Sequence, residues 1–174
     1  ADLYDMTADM MKSAGLPAYE VSNHARAGQK SRHNLIYWRA QDWIGVGPGA
    51  HGRITDGHTR IGTATRRNPE GWLGDVQTKG HGIETEIRDH GDAVLAEHLM
   101  MGLRLTEGVD LVTIAQRIGH PKPSTEQNPI LDKAIVERLV ELSLLEWRSN
   151  SRLAVTSNGR LILNTIIAKL LPLA

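Results

Sequence analysis

Residues 19 to 53, YEVSNHARAGQKSRHNLIYWRAQDWIGVGPGAHGR, gather three histidines, five arginines and lysines, two tryptophans and five glycines into a stretch too irregular for ordinary core. HNLIYW at 33 to 38 sets the imidazole of His33 and the carboxamide of Asn34 beside the amphipathic rings of Tyr37 and Trp38, between Arg32 and Arg39. An imidazole can ligate a metal or a haem iron when its other nitrogen is fixed by a neighbour. Guanidinium groups match carboxylates bidentately, which suits a ligand with paired propionates, and two rings can pack on a planar macrocycle. The plainer alternative is a histidine that hydrogen-bonds within a loop, beside aromatics that fill core, as a lone histidine usually behaves.

The second motif, GVGPGAHG at 45 to 52, places Gly47, Gly49 and Gly52 at the literal G-x-G-x-x-G spacing. The polar, turn-rich residues after Gly52 offer no helix whose N-terminus could hold a pyrophosphate, and no Lys-Ser/Thr pair follows as a phosphate loop needs. These glycines, with Gly45, imply instead a backbone that comes close to something bulky and takes positive φ, with His51 emerging from the turn. A tight turn at a strand end is the simpler account of the glycines taken alone.

The elements that position these motifs follow from composition and periodicity. The chain has 174 residues, is 40% hydrophobic and contains neither cysteine nor phenylalanine. Disulfides and thiolate-ligated zinc or iron-sulfur centres held by this chain alone are excluded. No run approaches the ~18 apolar residues that span a bilayer, and residues 1 to 15 lack a secretory pattern, so a cytoplasmic setting is the default expectation. Net charge is zero, but residues 25 to 70 carry eight basic against three acidic side chains, a local +5 that suggests an anionic partner such as carboxylates or phosphates. A solvated loop face is the bland counterpart.

Residues 1 to 14 read as a helix with Leu3, Met6, Met10 and Ala14 on one stripe, ended by Gly15 and Pro17, and the lack of a starting methionine suggests the tail of something longer. Ala18 to Val21 can be a short strand, residues 22 to 42 read as polar loop, and Trp43 to Val46 as a short buried strand entering the glycine turn. After a turn-rich stretch, 54 to 80, Ile83, Thr85 and Ile87 alternate with charges as in a half-exposed strand. Helices are expected at 92–105, with Val94, Leu95, Leu99 and Leu103 inward, at 110–118, and at 128–142 with Asn128 as N-cap and Pro129 in the first turn. A hairpin of 144–147 and 153–155 precedes a final helix capped by Thr156 and stopped by Pro172. Helices, hairpin, helix is a winged-helix-like order. DNA binding is not expected from it, because the candidate reading helix carries Asp132, Glu137 and Glu141 against Lys133 and Arg138 and lacks the basic surround that phosphates require.

The run Y-E-V-S-N-x-A-R-x-G-x-x-x-R-H-N-L-x-Y-W-R-x-x-D-W-x-G-x-G-P-G-A-H-G resembles the C-terminal half of the HemW family, the radical SAM haem chaperones, long labelled oxygen-independent coproporphyrinogen III oxidase-like. EHLMMGLRLTEGVDL at 97 to 111 and LLEWRSNSRLAVTSNGRLILNTIIAKLL at 144 to 171 extend the likeness. The resemblance implies haem binding at His33, as a candidate iron ligand, with Arg32, Asn34, Tyr37 and Trp38 shaping the pocket. It places Gly45, Gly47, Gly49 and His51 near the S-adenosylmethionine end of an incomplete barrel. The family's C-x3-C-x2-C motif, which holds a [4Fe-4S] cluster, is not in this chain, so this polypeptide alone is expected to be inactive in reductive cleavage of S-adenosylmethionine.

The architecture expected is α/β: the end of a partial radical SAM barrel over 1–53, a connecting segment with a strand over 54–88, and a winged-helix-like α+β domain over 89–174. An isolated barrel end should expose strand edges and apolar surface, and should associate or be disordered through residues 22 to 42. The parent is expected to bind haem or a porphyrinogen and to deliver haem to acceptor proteins, with peripheral membrane contact and homo-oligomers also considered. The alternatives are a coproporphyrinogen III oxidase whose arginines hold substrate propionates, and a stand-alone winged-helix adaptor.

Overall fold

The computed structural model describes residues 2–120 and 130–171. The chain is α/β with two three-stranded sheets, both antiparallel. Helix α1 spans Asp2–Ser13 and exposes Leu3, Met6 and Met10. After a bridge between Ala18 and His24 comes α2, Arg32–Trp38. The expected loop is therefore a helix here. Ser31 caps its start by accepting from the Asn34 amide, a hydroxyl at the favoured position. At seven residues and one apolar pair, α2 gives too little periodicity to be seen.

The first sheet is a meander of β1 (His51–Asp56), β2 (Thr59–Thr65) and β3 (Ile83–Asp89). Residues 54–80, expected as turns, hold most of its first hairpin and a helix. Asp56 pairs with Thr59 across the two-residue loop Gly57-His58, and Gly57 takes φ 58, the positive value such hairpins need. Helix α3, Pro69–Lys79, starts at Asn68, whose side chain accepts from the Gly71 amide at 2.7 Å, and ends at Gly80 in the left-handed region. The run at Trp43 to Val46 is no buried strand: Trp43 makes one bridge to Arg53, while Ile44 and Val46 are 76% and 85% exposed. The glycine turn that follows leaves no partner strand to cover them.

The main core lies in the C-terminal half. Helix α4 (Asp92–Gly102) buries Val94, Leu95 and Leu99, and Leu103 follows at its cap. Short strand β4 (Val109–Asp110) leads into α5 (Leu111–Arg117), whose N-cap Asp110 accepts from two amides. Helix α6 is Lys133–Glu141 with Asp132 as N-cap; the expected start at Asn128 and Pro129 lies outside the described residues, as does Pro172. The hairpin forms as β5 (Leu145–Trp147) and β6 (Arg152–Val155), and β4 adds to β6. Thr156 caps α7 (Ser157–Arg160), and a break at Leu161 and Ile162 separates it from α8 (Leu163–Leu170). Leu99, Leu103, Leu145, Leu153 and Ile166 are each almost fully buried in one cluster. At roughly 1.5–3 kcal/mol per buried aliphatic side chain, this cluster is the main source of stability.

Gly108 connects α4 to β4 with φ +69, and a Cβ there would overlap the backbone of Leu153 and Ala154. Gly108→Ala should therefore cost roughly 2 kcal/mol or more, from the left-handed backbone and the overlap together. Urea unfolding checks this through a lower midpoint at unchanged slope.

Candidate functional site

The site is built around α2. Its seven residues include none that is buried, so its own termini and rings must hold it. The helix ends in a Schellman turn: the Ala40 amide donates to Tyr37 O and the Gln41 amide to Ile36 O, both at 2.9 Å. Ala40 occupies the position where glycine is usual, at φ 46 and 1% exposed, which costs about 1 kcal/mol. Two guanidinium groups hold the strained exit. Arg117 Nη1 donates to Ala40 O at 3.3 Å, and Arg60 Nη2 to Gln41 O at 2.9 Å.

Arg60 lies on the small-residue face of β2 and is 1% exposed. Its Nη1 donates to Asp42 Oδ1 and to Thr55 Oγ1, and its Nε is 3.5 Å from Glu97 of α4, which also faces Arg53 at 3.6 Å. One cation thus ties the exit of α2, the first hairpin and α4 together. Its guanidinium lies 5.6 Å from the centre of the Trp43 ring. Burial alone would push the Asp42 carboxyl up, but hydrogen bonds from the Thr55 amide and hydroxyl and from Arg60 outweigh it and hold the carboxyl below the ordinary Asp value.

The second support of α2 is the segment after α4. The Arg39 guanidinium makes a bidentate pair with Glu107 at 2.8 and 3.0 Å. Hydrogen bonding from Arg39 is the main reason the Glu107 carboxyl stays below its usual range. Arg104 sits 5.4 Å from the Trp38 ring centre, and Thr106 donates twice to Tyr19 O. The sequence RLTE at 104–107 thus seats the motif-bearing segment on the core.

Of the residues singled out in sequence, His33 and Arg32 lie exposed at the first turn of α2, with Asn34 half-buried beside them. His33 meets Tyr37 edge-on at 4.9 Å, and Tyr37 meets Trp43 at 4.7 Å. Trp43 in turn donates from Nε1 to His51 O at 3.1 Å. The two motifs are therefore adjacent, joined by Trp43. The glycine segment is a latched turn: Thr65 Oγ1 donates to Gly47 O at 2.6 Å and accepts from the Ala50 amide at 2.9 Å, while Gly49 N donates to Arg66 O. Gly47 and Gly49 have φ 100 and 72, and Gly45 packs directly on the backbone of exposed His51. These glycines form a tight turn at the start of β1. Arg39 is already paired with Glu107 and is not a free clamp for a ligand. Arg60, Asp42, Trp43 and Glu107 were missed as site residues; an arginine alternating with Gly62 and Ala64 along β2 was the available signal.

The arrangement fits a haem at α2. His33 presents an accessible imidazole without a hydrogen-bond partner among the described residues, on a helix held in place by aromatic contacts and ion pairs. A [4Fe-4S] cluster does not fit, because the sequence has no thiol. Among the described residues no group of three His, Asp or Glu could hold a metal ion, and no helix is long and apolar enough to cross a membrane.

Residues 90–162 match the HemN C-terminal domain. Heme chaperone HemW of Bacillus subtilis is 29% identical over 98% of this chain and 42% of its own length, and HemW of Escherichia coli is 29% identical over 95% and 41%. A mitochondrial radical S-adenosyl methionine domain-containing protein 1 of Dictyostelium discoideum is 33% identical over 98% of this chain. The chain is similar over most of its length to the HemW heme chaperones and to this mitochondrial radical S-adenosyl methionine domain-containing protein. It spans about two fifths of the HemW relatives, and in the zebrafish mitochondrial protein, 41% identical, the match covers 63% of this chain and 26% of the relative. Coproporphyrinogen III oxidase HemN of Escherichia coli, a radical SAM enzyme, superposes with a TM-score of 0.65 over 97% of this chain and 40% of its own, at 16% identity, which shows a shared fold.

Two outcomes test the geometry. Arg60→Gln should destabilise the protein by at least roughly 2 kcal/mol in chemical unfolding, because Glu97 keeps its charge and the Gln41 carbonyl loses its donor. Asp42→Asn should lower stability at neutral pH, and the gap to wild type should close with acid: a carboxyl depressed on folding contributes fully above its unfolded value of about 3.9 and loses that contribution as pH falls through the folded value. Thermal melts between pH 7 and pH 3 read the convergence.

Proposed function

We propose that the parent protein binds haem at α2 and passes it to haem-accepting proteins, in the cytoplasm. The observation that carries this is the exposed imidazole of His33, seated edge-on against Tyr37 on a helix whose exit is fixed by Arg60 and Arg117. In this reading His33 would ligate the iron, Asn34 and Arg32 would flank it, and Tyr37 and Trp38 would limit where the ring can lie. The names of the HemW relatives support the ligand class. Likeness to HemN supports the fold alone, and the oxidase reading has no observation of its own here.

The S-adenosylmethionine and the [4Fe-4S] cluster of a radical SAM protein belong, in this proposal, to sequence outside this chain. Gly45, Gly47, Gly49 and His51 would form the rim toward that cofactor. We also propose a three-part organisation: 1–53 as the end of a partial barrel, 54–88 as connection, and 89–174 as a winged-helix-like domain in a docking role. The clustering of the main core within the last part supports this division.

Haem titration of the full-length protein tests the proposal. Wild type should give a Soret shift that saturates near one equivalent, and His33→Ala should lose or displace it while melting like wild type. An unchanged Soret band in His33→Ala would remove His33 as the ligand, and turnover of coproporphyrinogen III to protoporphyrinogen would favour the oxidase instead.

A further inference from the structure

The two edges of the first sheet differ. At β1, Trp43 and Arg53 exchange both main-chain hydrogen bonds, at 2.8 and 2.9 Å, so that edge is partly covered. At the other edge β3 is the last strand of the sheet, and residues 84–88 are exposed throughout. An open strand edge is a template for pairing with another chain, and proteins commonly guard one with lysine, proline or a bulge. Residues 85–89 hold neither Lys nor Pro, and the register shift between Ala64 and Thr65 falls beside the start of the strand. The edge carries both signs of charge instead, Glu86 and Arg88, around an Ile87 that is 62% exposed.

Which backbone groups stand open follows from the ladder. Arg53 turns its N–H and C=O to Trp43, so Gly52 and Ile54 bond toward β2, where Thr63 and Ile61 face them. Gly62, between those two on β2, therefore bonds toward β3, to Ile87. Glu86 and Arg88 are left with their N–H and C=O groups on the free side.

An antiparallel second copy can meet these groups in a few two-fold registers, and charge selects among them. Centred on Thr85 or on Glu86, the pairing sets glutamate against glutamate, because Glu84 or Glu86 then faces a Glu86 across the junction. Centred on Ile87, it sets Glu86 against the partner's Arg88 and Arg88 against the partner's Glu86. Both of these are positions with open backbone groups, so each pair exchanges two N–H···O bonds. The two Ile87 side chains meet at the intervening pair, where opposed residues approach most closely, and Thr85 faces the partner's Asp89. Glu86 and Arg88 already pair within the chain at 2.7 Å, so the second copy closes four charges of alternating sign on one face of the sheet.

We propose that the β3 edge is a self-complementary interface through which two copies of this chain join their first sheets into one of six strands, in the register centred on Ile87. The same patch serves both copies, as a two-fold contact requires. Its charge order also rejects edges of other sequence, since a misplaced register or partner brings like charges together. The interface involves neither α2 nor the glycine turn and is independent of the haem reading.

Analytical ultracentrifugation of the full-length protein over about 1–100 µM tests the proposal. The mass of wild type should rise reversibly from that of a monomer toward twice that value. Glu86→Arg and Arg88→Glu should each stay monomeric, because like charges then face across the junction. An equimolar mixture of the two variants should recover the dimer, because every facing pair is then opposite in sign. Wild type that stays monomeric throughout, a dimer that persists in both single variants, or a mixture of folded variants that stays monomeric overturns the proposal. Should a variant fail to fold, hydrogen exchange of wild type decides in its place: the amides of Glu86 and Arg88 should slow as protein concentration rises, and a dimer that leaves them unchanged places the interface elsewhere.

Discussion

A single buried guanidinium, that of Arg60, sets the geometry on which the rest of the site depends. Burying an ion costs several kcal/mol after relaxation, and the cost is offset only where every face of the group is met. Here Asp42, Thr55 and the Gln41 carbonyl accept from its terminal nitrogens, while Glu97 of α4 meets the Nε side by charge at 3.5 Å without a hydrogen bond. The same contacts hold the backbone just past α2, where Ala40 adopts a conformation that glycine usually takes. Strain of that kind persists only when its surroundings over-determine it. Arg60 and Arg117 supply that determination by gripping successive carbonyls.

Helix α2 is then an element with little stability of its own. Seven residues are too few for a helix to persist alone in water, and none of them is buried. Its order comes from a serine cap, the Arg39–Glu107 pair, Arg104 beside Trp38 and the ladder from Tyr37 to Trp43. The aliphatic core formed by α4, α5, α6, α8 and the second sheet is a rigid base, and residues 104–107 transmit its position to α2. A ligand that orders such a helix further pays the conformational entropy of doing so.

How much of this was legible depended on hydrophobic contrast. Helices α4 and α5 and the β5–β6 hairpin were readable because Leu95, Leu99 and Leu103 keep a helical period, Asp110 and Gly119 punctuate the ends, and Ser149 to Ser151 mark a turn. Strands β1 and β2 were not, because Thr, Gly and Arg alternate there where aliphatics would have signalled a strand. The signals for α3 were present in Asn68, Pro69 and Gly80, but its apolar face is only Trp72, Leu73 and Val76. The motif histidine and its rings were legible as types; that they ride on a helix, and that Arg39 is committed to Glu107, required the long-range contacts.

The central claim, a haem seated on α2 and steadied through the exit that Arg60 fixes, is tested most directly by locating the ligand. Hydrogen exchange of the full-length protein with and without haem does so. The account predicts slowed exchange in residues 31–41, with the β2–β3 strands unchanged. Slowed exchange confined to other regions, with the amides of α2 indifferent to haem, would contradict it.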